Sequence, residues 1–199
     1  MIKCSLQWSY TLIAPIYDSI VQSPTAKARQ HSLSQVDLHG NVLLCGIGSG
    51  LDIPYLADNA DYIGIDLTLA MLHRAQKRIQ QHPVSLHQGD VMQLPYQDHS
   101  FDFVVMHLIL AVVPEPQKAL DEVKRVLKPN GQLIIFDKFL HPHQFAPIRR
   151  LMSPIMGKLA TRTNVEFESL DITGLELQCD QAALFNGWFR HIVLQKDAT

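Results

Sequence analysis

The chain has 199 residues, 47% of them hydrophobic and 18% charged, enough for one sizeable core and an ordinary globular composition. A formal charge of −2 argues against a general nucleic-acid binder, whose surface must be basic. Three distant cysteines, Cys4, Cys45 and Cys179, make no CxxC pair, so neither a disulfide framework nor a metal site is expected.

No apolar run approaches the roughly 20 residues of a membrane span. Lys3, Gln7 and Asp18 interrupt any signal-peptide core, so the cytoplasm is the expected location. Residues 5–36 read as helical, because Leu12, Ile13, Ile16, Ile20 and Val21 fall at spacings of three and four. Pro24 ends a first helix, Thr25 to Val36 make a second, and His39-Gly40 stops it. This arm carries Trp8, Tyr10 and Tyr17. It serves either as part of the core or as a lid over the site that follows it.

The next stretch organises the chain. Val42-Leu43-Leu44-Cys45 is a short aliphatic run, as expected of a buried strand. Gly46, Gly48 and Gly50 break it, and a helical segment is expected over Leu51 to Ala57. Strand, glycine-rich turn and helix bring backbone N–H groups close to a nucleotide-like ligand, because glycine has no Cβ to block the approach. Asp66 closes a second apolar run, Tyr62 to Ile65, where an acid can accept ribose hydroxyls.

Thr68 is a plausible N-cap for a helix reaching about Gln81, with Leu69, Leu72, Ala75, Lys77 and Ile79 on its buried side. Val84 to His87 makes a third strand, and Asp90 after it either caps a turn or binds an adenine amino group. Phe101 to Met106 is a fourth strand with His107 just past its end. Pro114 opens a helix on the stripe Ala119, Leu120, Val123 and Leu127; Lys128-Pro129-Asn130-Gly131 is a stop and turn. Leu133 to Phe136 is a fifth strand ending at Asp137, and a helix is expected over residues 144–160. Leu175 to Cys179 and Trp188 to Leu194, joined through Asn186-Gly187, make a closing hairpin.

This alternation predicts an α/β fold: a doubly wound, mostly parallel seven-stranded sheet with an antiparallel C-terminal edge hairpin. Ligands of such sheets sit at the carboxyl ends of the strands. That rule gathers Gly46, Gly48, Gly50, Asp66, Asp90, His107 and Asp137 on one rim.

The ordered segments 42–50, Gly64-Ile65-Asp66, Gln88-Gly89-Asp90, 101–105 and 126–133 resemble the motifs of class I S-adenosylmethionine-dependent methyltransferases, with their Rossmann-like fold. Tyr10 and Ala14-Pro15-Ile16-Tyr17-Asp18 are similar to the N-terminal arm of the ubiquinone/menaquinone-type (type 11) group. Gly50 to Tyr55, Val112 to Pro116 and Pro147 to Leu151 look like the short bacterial phosphatidylethanolamine N-methyltransferases. The resemblance implies a single domain over 1–199, with an arm or lid at 1–36, a cofactor core at 38–137 and a closing part at 138–199. It implies S-adenosylmethionine as cofactor and S-adenosylhomocysteine as product. Gly46, Gly48 and Gly50 would shape the loop around methionine and ribose, Asp66 would hold the ribose, and Asp90 with the Val91 backbone the adenine. Leu67 and Met71 would pack on its face. His107 is the candidate base by position, the alternative being a satisfied polar residue at a strand end. Tyr10 and Tyr17 would orient the acceptor or shield the sulfonium. One departure stands out: the family's usual acid two residues before the first glycine is Leu44 here, and Asp52 or Asp137 is positioned to compensate. The implied substrate is a lipid or lipid-like acceptor, with a soluble small molecule or a non-catalytic nucleotide-binding role as alternatives.

Residues 138–165 hold no acid but carry Lys138, Arg149, Arg150, Lys158 and Arg162. Apolar residues from Phe145 to Leu159 repeat at helical spacing. Such a helix either packs on the sheet or lies peripherally on an anionic membrane.

Overall fold

The computed structural model describes residues 24–80, 82–139, 165–184 and 187–198. Its frame is a seven-stranded sheet: β1 (Gly40–Cys45), β2 (Ala60–Asp66), β3 (Val84–Gln88), β4 (Phe101–His107), β5 (Leu127–Lys138), β6 (Leu175–Leu184) and β7 (Phe189–Lys196). The order across the sheet is β3-β2-β1-β4-β5-β7-β6. β1 to β5 run parallel. β7 is antiparallel to both β5 and β6, which sets the expected hairpin at one edge.

Side-chain alternation divides the core into two layers. Val42 and Leu44 of β1 and Phe103 and Val105 of β4 join a cluster on one face. Helix α1 (residues 24–34) contributes Leu33 to it, and α2 (Leu69–Ala75) contributes Leu72 and Ala75. Leu43 and Cys45, with Val104 and Met106, join the opposite cluster, which α3 (Pro116–Val126) covers through Ala119, Leu120, Val123 and Val126. Burial on both faces explains why β1 from Val42 to Cys45 and β4 from Phe103 to Met106 read as continuous apolar runs. Leu44 is 2% exposed in the first layer, so the position where the family carries an acid is here a core position.

Several boundaries differ from the sequence reading. The helix expected over Leu51 to Ala57 is only a 3-10 turn, Ile53–Tyr55. Pro54 has no N–H to extend an α-helical ladder, and Leu56 is already extended. α2 stops at Ala75 rather than near Gln81; Lys77 and Arg78 bond back three residues, to Arg74 and Ala75, and tighten the chain into turns. Leu69, expected on the buried side, is 52% exposed. α3 starts at Pro116, not Pro114, with proline in the first turn where no N–H is needed. His107 is the last residue of β4 rather than one past it, and Leu127 opens β5. Residues 128–131 loop out within β5: Phe101 pairs with Leu127 and Phe103 with Gln132. Lys128 there holds both oxygens of Asp102, at 2.9 and 2.8 Å. The N-terminal helix with Tyr10 and Tyr17, and the helix expected over residues 144–160, lie outside the described residues.

Candidate functional site

A cleft of about 900 Å³, counted out to open solvent, opens at the carboxyl ends of β1 to β4. The strand order reverses between β1 and β4, the position where open α/β sheets bind ligands. Of the site residues expected from sequence, Gly46, Gly48, Asp66, Leu67, Met71, Asp90, Val91 and His107 line this one cleft. Tyr10 and Tyr17 lie outside the described residues.

The glycine turn is a left-handed sequence, with φ of +66°, +57° and +80° at Gly46, Gly48 and Gly50. Gly48 turns its N–H onto Asp66 Oδ2 at 2.9 Å. Gly50 does not line the cleft. Its backbone faces the helix layer, where a Cβ would stand 3.1 Å from both Cα and Cβ of Ala75.

Asp66 ties two segments together, because its Oδ1 accepts the Thr68 N–H at 2.8 Å. Burial pushes its carboxyl above the ordinary range, and the Thr68 and Gly48 N–H groups oppose that shift. Asp90 accepts the Met92 N–H at 2.9 Å, so the turn-capping reading holds while the same residue also lines the cleft.

A buried polar network underlies the β4 side. Along α1 the buried residues are Thr25, Ala28, Arg29, Ser32 and Leu33, one helical stripe in which three members are polar. Arg29 Nη1 donates to Asp52 Oδ1 at 2.8 Å and Nε to Thr25 at 3.1 Å. His107 Nδ1 lies 2.8 Å from the same Asp52 oxygen, and Nε2 lies 3.1 Å from the Ser32 hydroxyl. A carboxylate only accepts, so Nδ1 carries a proton. Burial alone would raise the Asp52 carboxyl, but Arg29 and then His107 outweigh it and hold it well below the carboxylate range. Both ring nitrogens are thus engaged inside the protein, while the residue also lines the cleft. This geometry satisfies both ring nitrogens of a polar residue at a strand end, the alternative that the sequence left open beside a base.

Asp137 was grouped on the rim by sequence but is fully buried beneath it. Its carboxylate accepts the N–H of Ala111 at 3.1 Å and of Lys138 at 2.7 Å. It thereby fixes the turn after β4, whose Leu108, Ile109, Val112, Val113 and Pro114 form an apolar wall of the cleft. Leu108 adopts φ +58° at this corner, a region costly for a leucine and often found at functional sites. Burial pushes the Asp137 carboxyl up to about 6.

Arg29 was not identified from sequence. Its one signal was an arginine at a buried spacing of a short amphipathic helix, visible only once the stripe Thr25, Ala28, Arg29, Ser32 is aligned. Asp52 was named as a compensating acid, but its partners required the fold.

Residues 43–135 match the family model described as "Methyltransferase domain". The chain is 33% identical over 129 residues to a phosphatidylethanolamine N-methyltransferase of Cereibacter sphaeroides, covering 62% of this chain and 64% of that one. It is 31% identical over 147 residues to a demethylmenaquinone methyltransferase of Lactiplantibacillus plantarum, covering 67% and 62%. The chain therefore spans a little under two thirds of the length of these relatives. Among solved structures, the [4+2]-cyclase SpnF superposes with a TM-score of 0.78 at 18% identity, over 97% of this chain and 95% of that one. An S-adenosylmethionine-dependent methyltransferase of Thermotoga maritima gives 0.70 at 19% identity, over 95% and 99%. At such identities these two establish the fold alone. Fold and sequence together define the class I, Rossmann-like methyltransferase architecture. Within it, residues 43–135 resemble the type 11 group of S-adenosylmethionine-dependent methyltransferases.

Proposed function

We propose that the protein binds S-adenosylmethionine in this cleft and transfers its methyl group to a lipid or lipid-like acceptor such as phosphatidylethanolamine, releasing S-adenosylhomocysteine. One observation carries the cofactor half: the glycine turn, Asp66 and Asp90 follow three adjacent strands and line one cleft. When bound, the cofactor supplies a methyl group on a sulfonium, already activated for transfer. The chain's residues fit that group. Each Asp66 oxygen accepts one backbone N–H and keeps a lone pair for a ribose hydroxyl. Asp90 and the Val91 backbone hold the adenine, and Leu67 and Met71 cover its faces.

Holding the acceptor in line with the methyl group is then the protein's main task. A base is needed only for an acceptor that arrives protonated. In this reading His107 orients Asp52 and Arg29. Tyr10 and Tyr17 orient the acceptor or shield the sulfonium from an arm over residues 1–36, residues 38–137 bind the cofactor, and 138–199 close one domain.

Two observations support a lipid-like acceptor. The relatives above are named for phosphatidylethanolamine and for demethylmenaquinone, and the wall after β4 is apolar. No described helix is long and apolar enough to cross a membrane. Peripheral contact of the basic stretch 138–165 with anionic lipid would bring such an acceptor to the cleft. The test begins with thermal shift: S-adenosylmethionine and S-adenosylhomocysteine are expected to raise the Tm. Asp66→Ala is expected to weaken binding by roughly 1.5–3 kcal/mol while the protein still unfolds cooperatively. Radiolabelled methyl transfer is then compared on phosphatidylethanolamine vesicles, on demethylmenaquinone and on a soluble extract. Label recovered only in the soluble fraction would move the acceptor to a soluble small molecule; no stabilisation by either nucleoside would remove the enzyme reading.

A further inference from the structure

We infer that Arg29, oriented by Asp52 and His107, binds the carboxylate of the cofactor's amino-acid end. The inference rests on the cofactor reading above and assigns the part of the ligand that the glycine turn and the two acids leave unassigned. Asp90, Asp66, the glycine turn and His107 stand at the ends of β3, β2, β1 and β4, four consecutive strands. Neighbouring strands lie about 4.8 Å apart, so the row spans roughly 14 Å. Adenine at Asp90 and ribose at Asp66 therefore direct the amino-acid end toward β1 and β4, beneath α1.

The charges agree with that order. The side chains that line the cleft among the described residues include Asp66 and Asp90 but only one permanent cation, Arg29. A carboxylate cannot rest against either acid, whereas a planar guanidinium matches it in two-point fashion. The family's usual acid at this end is Leu44, packed in the core, so the loop itself brings no charged side chain there. The cluster of Arg29, Asp52, His107 and Ser32 supplies charge from α1 and from Asp52, two residues past the glycine turn, instead. Asp52 holds the Arg29 side chain in one place through a buried pair, both side chains under 8% exposed, which limits the entropy lost when the carboxylate arrives. Arg29 would thus be a binding residue, and Asp52 and His107 positioning residues that act through it.

The competing account is that Arg29 only ties α1 to the rim. Calorimetry with two nucleosides separates them: S-adenosylhomocysteine, which has the amino-acid end, and 5′-methylthioadenosine, which lacks it. For Arg29→Gln the first should weaken by roughly 10- to 100-fold and the second should be unchanged; Arg29→Lys should recover part of the loss. Equal weakening of both ligands, or no weakening of S-adenosylhomocysteine, overturns the inference. Should Arg29→Gln fail to fold, wild type is measured with S-adenosylhomocysteine and with its decarboxylated counterpart. The decarboxylated ligand is expected to bind at least roughly 10-fold more weakly, and equal affinity overturns the assignment. A wild type that binds neither S-adenosylhomocysteine nor methylthioadenosine overturns the cofactor reading itself, a result distinct from the others.

Discussion

Asp52 and Asp137 are both buried acids near the cleft, yet their surroundings drive them in opposite directions. Asp52 has a guanidinium and an imidazole within 2.8 Å and stays ionised well below the usual range. Asp137 has only backbone N–H groups and the more distant Lys138 charge, and burial pushes it up to about 6. The consequence for stability follows from proton linkage. A carboxyl whose folded pKa lies above its unfolded value contributes stability below the unfolded pKa and loses it as pH rises through the folded one. From about 3.9 to about 6, at roughly 1.4 kcal/mol per unit, the loss is on the order of 3 kcal/mol between about pH 4 and pH 7. His191 works the other way over that window, since burial, His107 and His31 hold it down near 4. The Asp137 effect is therefore read as a difference. In urea titrations from pH 4 to 7, wild type should lose stability relative to Asp137→Asn; parallel pH curves for the two proteins would show that Asp137 is ionised throughout.

At the scale of elements, the turn after β1 is shaped by packing as much as by ligand approach. Gly48 and Gly50 both have positive φ, but they face different surroundings. A Cβ on Gly48 would meet nothing nearer than the Gly46 carbonyl at 3.8 Å, whereas one on Gly50 would stand 2.7 Å from Ile53 and 3.1 Å from Ala75. Gly48→Ala thus bears only the backbone strain, about 1–2 kcal/mol. Gly50→Ala adds overpacking against the α2 backbone and should cost roughly 2–4 kcal/mol. Chemical denaturation of the two variants should rank them in that order, and equal losses would mean that α2 yields to the added methyl group. α1 makes the complementary point: its buried stripe carries Arg29 and Ser32 onto Asp52 and His107, so a helix outside the central motif region completes the site.

At the scale of the whole molecule, four parallel strands bring their last residues to one edge. Residues 1–22 carry Trp8, Tyr10 and Tyr17 and precede the described helix, which begins at residue 24. Deleting them is expected to reduce methyl transfer more than the free energy of unfolding. Loss of a cooperative unfolding transition in the shortened protein would instead make the arm part of the core.

The sequence by itself determined the sheet and most of its rim. Strands buried on both faces must be apolar along their buried length, glycine spacing reports left-handed backbone, and an acid at a strand end stays polar wherever the strand pairs. These are local constraints, and each is legible in a few consecutive residues, from Val42 to Gly50 and at Asp66 and Asp90. Element ends were less legible where neighbours decide them, as at the single turn Ile53–Tyr55 and at Leu127, which pairs with Phe101 ahead of the turn that 128–131 announces. The network of Arg29, Ser32, Asp52 and His107 was not legible at all as a network. The pairs within it are separated by 23, 55 and 75 positions; His107 and Asp52 were each singled out in sequence, but nothing local joins them to one another, to Arg29 or to Ser32. Only the tertiary packing of α1 over the end of β4 removes water from all four, and that desolvation is what forces them to satisfy one another.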